Sequence, residues 1–169
     1  MTAAREDRPR GPPPADVDEL LARARALSGV PLADIAALLG EDLARAGLRS
    51  KGKAGELLER ALGATGGSAA QVDFPALGVE LKTVPLDAAG RPRESTFVCT
   101  LPLADADRAA WAGSWVRRKL ACVLWVPVIA GEEALGRAVV WRPTPAQAAG
   151  LAADFDEIAG RARAGGHGG

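Results

Sequence analysis

Leu77-Gly-Val-Glu-Leu-Lys-Thr-Val-Pro85 is the stretch where the chain changes rhythm. Val79, Leu81 and Thr83 alternate with Glu80, Lys82 and Val84, the period of two that marks a strand. Upstream the apolar residues recur at helical spacing instead. Asp16–Ser28 places Val17, Leu20, Leu21, Ala24 and Leu27 on one face and stops at Gly29. Pro31 opens a second helix, with Leu32, Ile35, Ala36 and Leu39 inward and Gly40 as its stop. A third helix is expected over Ala54–Leu62, broken by Gly63, Gly66 and Gly67. Downstream, Ser95–Leu101 reads as a second strand that pairs with the first as a hairpin across the turn residues Asp87–Pro92. A short helix over Ser114–Leu120, a buried strand Cys122–Ile129 and an edge strand Ala138–Trp141 follow. Thr144, with Gln147 three residues on, forms a capping box for a last helix to about Ala159. This order predicts an α/β fold, a mixed central sheet flanked by helices. Residues 1–14, rich in Pro and Arg, and the Gly-rich 161–169 are expected to be a disordered leader and tail. That leaves 15–160 as a single domain.

Composition narrows the function classes. Of 169 residues, 21 are basic and 21 acidic, so any nucleic-acid surface must be a local patch. Cys99 and Cys122 lie in apolar stretches without metal-ligand spacing, which fits a reducing, cytoplasmic setting rather than a disulfide framework. No apolar run is long enough to span a bilayer, and Met1–Pro14 lacks the apolar core of a signal peptide. The only histidine, His167, sits in the glycine tail, so there is no Ser–His or Cys–His pair and no histidine metal cluster. Neither a P-loop nor a dinucleotide fingerprint is present. Only four of the 21 basic residues are lysines: Lys51, Lys53, Lys82 and Lys119. In so arginine-rich a chain, a lysine carries information.

The chemistry concentrates around the first strand. Glu80 and Lys82, two residues apart, share one of its faces, and Asp73 precedes it. Two charges on one face of an apolar strand belong at a sheet edge or in a cleft. Converging carboxylates suit a hard cation such as Mg²⁺, which activates water and neutralises a phosphate under attack. A neighbouring lysine orients that water or stabilises the transition state. Glu80-Leu-Lys82 is the sole acidic-x-Lys triplet in the chain, yet by spacing alone a surface strand with an ion pair accounts for it too. Glu59, beside Leu58 and Leu62 on the third helix, either completes the metal shell or pairs with Arg60 or Lys53 in solvent. From Arg108 to Gly131 there are four basic residues, Arg108, Arg117, Arg118 and Lys119, no acidic one, and two interleaved tryptophans, Trp111 and Trp115. This stretch reads equally as a phosphate-gripping surface or as a solvated helix face over core tryptophans. Lys51 and Lys53, in a Gly-containing loop, are a second candidate phosphate contact.

Longer stretches carry a resemblance. Asp73-Phe-Pro-Ala-Leu-Gly-Val-Glu-Leu-Lys-Thr-Val-Pro-Leu-Asp87, Gly90-Arg-Pro, Glu94-Ser-Thr-Phe-Val-Cys99, Ser114-Trp-Val-Arg-Arg-Lys-Leu120 and Val123-Leu-Trp-Val-Pro127 closely resemble the MutH family of DNA mismatch-repair endonucleases. Upstream, Leu27-Ser-Gly, Ile35-Ala-Ala-Leu38, Gly55-Glu-Leu-Leu-Glu59 and Leu62-Gly-Ala64 fit the same pattern, so the match covers most of residues 16–142. The resemblance implies a restriction-endonuclease-like fold. It also implies Mg²⁺-dependent nicking of the unmethylated strand at hemimethylated GATC sites, 5′ to the G, by a cytoplasmic monomer. MutL, loaded through MutS, would be the activating partner and double-stranded DNA the substrate. Asp73, Glu80 and Glu59 match the metal and active-site carboxylates, Lys82 the catalytic lysine, and Lys51 and Lys119 lysines near the DNA and the site; Lys53 has no such match. Members of the family continue into a C-terminal segment that reads the bases, discriminates the methyl group and contributes to MutL activation. This sequence stops at Arg161-Ala-Arg-Ala-Gly-Gly-His-Gly-Gly169 and has no tyrosine. The catalytic half is therefore expected to be present and the reading half absent, whether by truncation, by delegated specificity or by impairment. Two rivals stand beside this reading: a GATC-specific type II restriction endonuclease, and a non-catalytic remnant that binds DNA or MutL.

Overall fold

The structure, a computed structural model, describes residues 10–42, 52–66, 70–100, 110–131 and 133–165. Three helices come first: α1 Val17–Ala26, α2 Leu32–Leu38 and α3 Lys53–Leu62. Asp16 caps α1 by accepting the Glu19 amide at 2.8 Å, with acidic residues in the first turn and Arg23 and Arg25 in the last, the arrangement the helix dipole favours. α3 ends at Gly63, whose left-handed backbone (φ 79°) lets its amide and that of Ala64 fold back onto the helix carbonyls.

The sheet is mixed. β1, Glu80–Leu86, runs parallel to β2, Val123–Ile129, in the register Glu80↔Val123 to Leu86↔Ile129. The other edge of β2 carries two short antiparallel strands. β4, Val139–Trp141, lies along the first half of β2, and β3, Ala134–Leu135, along its end. A parallel pair needs a crossover, and here it contains α4, Trp115–Ala121, capped by the Ser114 hydroxyl on the Arg117 amide. The last helix, α5, spans Pro145–Gly165. Its capping box forms as the sequence predicts: Thr144 Oγ1 accepts the Gln147 amide and Gln147 Oε1 accepts the Thr144 amide.

The pleat divides the work of the two faces. Leu81, Leu124, Val126 and Val128 join Leu20, Ile35, Leu57, Leu58 and Leu62 of α1–α3 in one core. Glu80 and Lys82, in register with Val123 and Trp125, therefore lie on the opposite face, toward α4.

Three expectations are corrected. The hairpin between Leu77–Pro85 and Ser95–Leu101 does not form. Arg93 donates to the Pro85 carbonyl at 3.0 Å, but Pro85 has no amide to return the bond, so the pairing stops after the Leu86–Pro92 bridge. Residues 95–100 run on without regular structure. The leader expected over residues 1–14 is ordered from residue 10, and residues 10–12 lie against the end of α3, with Gly11 donating to the Arg60 carbonyl at 2.8 Å. α5 runs past Ala159 to Gly165, supported by the Glu157–Arg161 pair one turn apart.

Leu124, fully buried near the start of β2, belongs to the core shared by the sheet and the helical layer. Truncation to Ala is expected to cost about 3 kcal/mol, read in urea as a lower midpoint at unchanged slope. A loss below about 1 kcal/mol would show that the core relaxes around the site.

Candidate active site

The six residues between Asp73 and Glu80 are a reverse turn. Phe74 and Val79 bridge each other through both amides, and Gly78, at φ 66°, supplies the left-handed position the turn requires. This brings Asp73 alongside the strand it precedes. The Glu80 amide bonds inward to Cys122 on the β2 side at 3.0 Å. The Leu81 amide points the other way, to the outer edge, and is taken by Asp73 Oδ2 at 2.8 Å. The D-x₆-E spacing is thus the length of a turn that puts one carboxylate on the edge amide next to the other.

Glu80 is 2% exposed, and its charge is matched from two elements. Lys119 Nζ, from α4, donates to both of its oxygens at 2.9 and 3.0 Å and to the Gln71 carbonyl at 3.1 Å. Lys82 Nζ approaches Glu80 Oε1 at 3.0 Å and donates to the Val98 carbonyl at 3.2 Å. The site is therefore a buried carboxylate between two ammoniums, each steadied by a backbone carbonyl from an irregular segment.

Glu59 reaches the same site from α3. Burial, then repulsion from Asp73, Glu80 and Glu56, pushes its pKa up to about 7, against a smaller opposing pull from Lys82. Burial also raises Asp73; the Leu81 amide opposes this, and Glu80 adds to it. Neither solvent pairing considered for Glu59 occurs, because Arg60 and Lys53 both turn to Glu41, the latter at 2.7 Å.

The structure thus brings together Glu59, Asp73, Glu80, Lys82 and Lys119, which span sixty positions of sequence. Lys119 is not part of an outward basic face. It is buried, while its neighbours Arg117 and Arg118 are exposed and bond to the Ala112 and Gly113 carbonyls. Lys53 is engaged by Glu41 and Glu56 and is no free phosphate contact. Lys51 and Arg108 lie outside the described residues. The groups sequence reasoning missed are main-chain ones, the carbonyls of Gln71 and Val98 and the amide of Leu81. No residue type announces these. Cys99, half-buried, feels the charges of Lys119, Lys82 and Glu80, yet burial dominates and keeps its thiol pKa high.

As donors, Glu59, Asp73 and Glu80 offer only carboxylate oxygen, the chemistry a hard divalent cation requires, and their mutual repulsion is what such a cation relieves. Among the described residues no three His, Cys, Asp or Glu side chains already stand at metal-ligand spacing. Glu80 instead turns both oxygens to Lys119. Among the described residues, no helix is long and apolar enough to cross a membrane.

Comparison with known proteins agrees in one direction. Residues 62–154 match the family model described as the DNA mismatch repair enzyme MutH. The DNA mismatch repair protein MutH of Shewanella amazonensis is 45% identical over 152 residues, 86% of this chain and 68% of that protein. The protein of the same name from Klebsiella pneumoniae is 44% identical over 157 residues, 89% of this chain and 68% of its own length.

The raised Glu59 pKa has a consequence for stability. Its folded value, about 7, lies above the ordinary 4.5, so the folded chain binds the proton more tightly. The contribution of Glu59 to stability is then fullest below pH 4.5 and is lost as pH rises toward 7. In chelator-treated buffer, Glu59→Gln should match the parent Tm in acid and exceed it at pH 8. An equal Tm difference at both pH values would mean that Glu59 does not carry this proton.

Proposed function

The chain belongs to the MutH family of DNA mismatch repair enzymes, and from that premise we propose that it is a Mg²⁺-dependent endonuclease. It nicks the unmethylated strand at hemimethylated GATC sites, 5′ to the G. Its activating partner is MutL, loaded through MutS, and it works as a cytoplasmic monomer on a restriction-endonuclease-like fold. The observation that carries the nuclease reading is the convergence of Asp73, Glu80 and Lys82 on one strand edge, with Glu59 and Lys119 delivered by separate helices. A mixed sheet whose edge strand bears the acidic-x-Lys triplet supports the fold.

Asp73, Glu80 and Glu59 would hold the Mg²⁺. When bound, the cation neutralises charge on the scissile phosphate and lowers the pKa of a water. The chain's own residues divide the remaining work. The Leu81 amide fixes the orientation of Asp73. Lys119 sets the rotamer of Glu80 by holding both its oxygens from the buried side. Lys82 has three donors, of which Glu80 and Val98 take two. The third would serve the attacking water or a phosphate oxygen, where an ammonium stabilises charge that grows in the transition state. Glu59 would have to give up its proton to help hold the cation, so cation affinity should fall as pH drops below about 7. Arg117 and Arg118, exposed on α4, and Lys51 contact DNA phosphates, which give affinity but not sequence.

The test is nicking of hemimethylated GATC plasmid with Mg²⁺, with and without MutL, beside a GATC-free plasmid. Nicking confined to the unmethylated GATC strand and stimulated by MutL supports the whole reading. Nicking of both plasmids leaves the nuclease and removes the site reading; double-strand cleavage without MutL favours a restriction enzyme. Glu80→Gln and Lys82→Ala should each lower the rate by at least about a hundredfold. Glu80→Gln is the better probe than Glu80→Ala, because the amide oxygen still accepts from buried Lys119, whereas Ala strands that charge. Retained cleavage in Glu80→Gln would overturn the site.

A further inference from the structure

The two acidic residues delivered by different elements, Glu59 on α3 and Asp73 before β1, are joined by three consecutive amides. Ala64 donates to the Glu59 carbonyl at 2.7 Å, and Thr65 and Gly66 donate to the Asp73 carbonyl at 3.0 and 2.9 Å. The segment Ala64–Gly66 is therefore a clasp between the main chains of two acidic residues of the site. Of its side chains only the Ala64 methyl is packed in the core, while Thr65 is exposed. What grips it from outside is the start of the described chain.

Arg10 Nη1 donates to the Ala64 carbonyl at 2.9 Å, and Gly11 donates to the Arg60 carbonyl at 2.8 Å. Arg23 of α1 donates to the Pro12 carbonyl and pins the same stretch from the other side. The approach is so close that it needs glycine on both surfaces. A Cβ on Gly11 would stand 2.4 Å from the Ala61 carbonyl oxygen, and one on Gly63 would stand 2.3 Å from the Pro12 oxygen. Both obstacles are backbone, so neither yields by a side-chain rotation. Two glycines interlocked in this way, with a guanidinium bonded across them, make a specific seat rather than a chance contact.

We propose that Arg10 and Gly11 form a strap that positions the catalytic carboxylates, acting through the Ala64–Gly66 clasp on Glu59 and Asp73. The proposal rests on the cation-binding reading of that site. The strap touches no reacting atom. It fixes the distance between two cation ligands, so loosening it should weaken the cation before it weakens DNA. Partners that orient metal ligands commonly change metal affinity or activity by about 10–100-fold when removed.

The experiment uses the full chain and the variants Arg10→Ala, Gly11→Ala and Arg10→Lys. Mg²⁺ is titrated against Tm and, separately, against nicking rate, and amide hydrogen exchange is followed in metal-free protein. Arg10→Ala and Gly11→Ala should raise the half-saturating Mg²⁺ concentration about tenfold at unchanged KM for DNA. They should also speed exchange at Ala64, Thr65 and Gly66 while the amides of β2 stay protected. Arg10→Lys, which can still donate one bond to the Ala64 carbonyl, should restore both. Unchanged Mg²⁺ requirement and unchanged exchange would overturn the strap. So would faster exchange across β2 as well at unchanged Mg²⁺ requirement, which marks a merely structural contact. If the parent chain binds no divalent cation, the functional reading fails by itself; the exchange at Ala64–Gly66 then decides alone whether the strap holds the clasp.

Discussion

Burying the Glu80 carboxylate is the constraint on which the rest depends. A charge withdrawn from water to 2% exposure must be matched nearby, and the penalty for leaving it alone exceeds what any surface pair returns. Lys119 and Lys82 match it, and this fixes the architecture around it. β1 must be an edge strand, because Asp73 needs its outer amide. α4 must lie over the face opposite the helical core, because Lys119 reaches Glu80 from there. The crossover from β1 to β2 is then the natural place for α4. The apolar face of the same two strands is left to α1–α3, which seal it.

α3 is held at three points along its length, and this explains how a helix residue can present a carboxyl to a site already rich in negative charge. Lys53 near its start and buried Arg60 near its end both bind Glu41, and Arg60 also donates to the Leu39 carbonyl. Gly11 and Gly63 close on the Arg60 carbonyl at the end of the helix. With its cationic neighbours turned to Glu41, Glu59 has no ion pair among the described residues. Burial first, and then the repulsion of Asp73 and Glu80, hold its pKa high.

Much of this was legible in the sequence, for reasons specific to each residue. Period-two alternation placed Glu80 and Lys82 on one face, the Thr144–Gln147 spacing announced its own capping box, and Asp16 and Gly63 bounded their helices. These signals are local, and local physics decides them. Beyond the local underestimate of α5, what the pattern left unread is long-range. Ser95–Leu101 has strand composition, but whether it pairs depends on Pro85 offering an amide it lacks. Lys119 sits in a run of basic residues that by composition reads equally as a phosphate-gripping surface or a solvated face; the resemblance placed it near the site, and its inward direction is set by Glu80, 39 positions away. Arg10 and Gly11 look like leader because their partners are main-chain carbonyls of α3, which no side-chain pattern encodes.

The scarcity of lysine gains a physical meaning from the geometry. All three described lysines are paired with carboxylates at sheltered positions, with side chains 10, 20 and 9% exposed at Lys53, Lys82 and Lys119. Arg91 and Arg161 are 79% exposed in their ion pairs. A guanidinium delivers its donors in one plane, which suits a flat partner such as Glu41 with Leu39 beside Arg60. Lys119 must satisfy two carboxylate oxygens and a carbonyl that belong to different segments, and an ammonium's tetrahedral donors can diverge to meet them. A planar fork at that position would leave one of the three acceptors unmet in a buried site. Where the chain uses arginine by default, it keeps lysine where donors must splay, and at Lys82 and Lys119 those places surround Glu80.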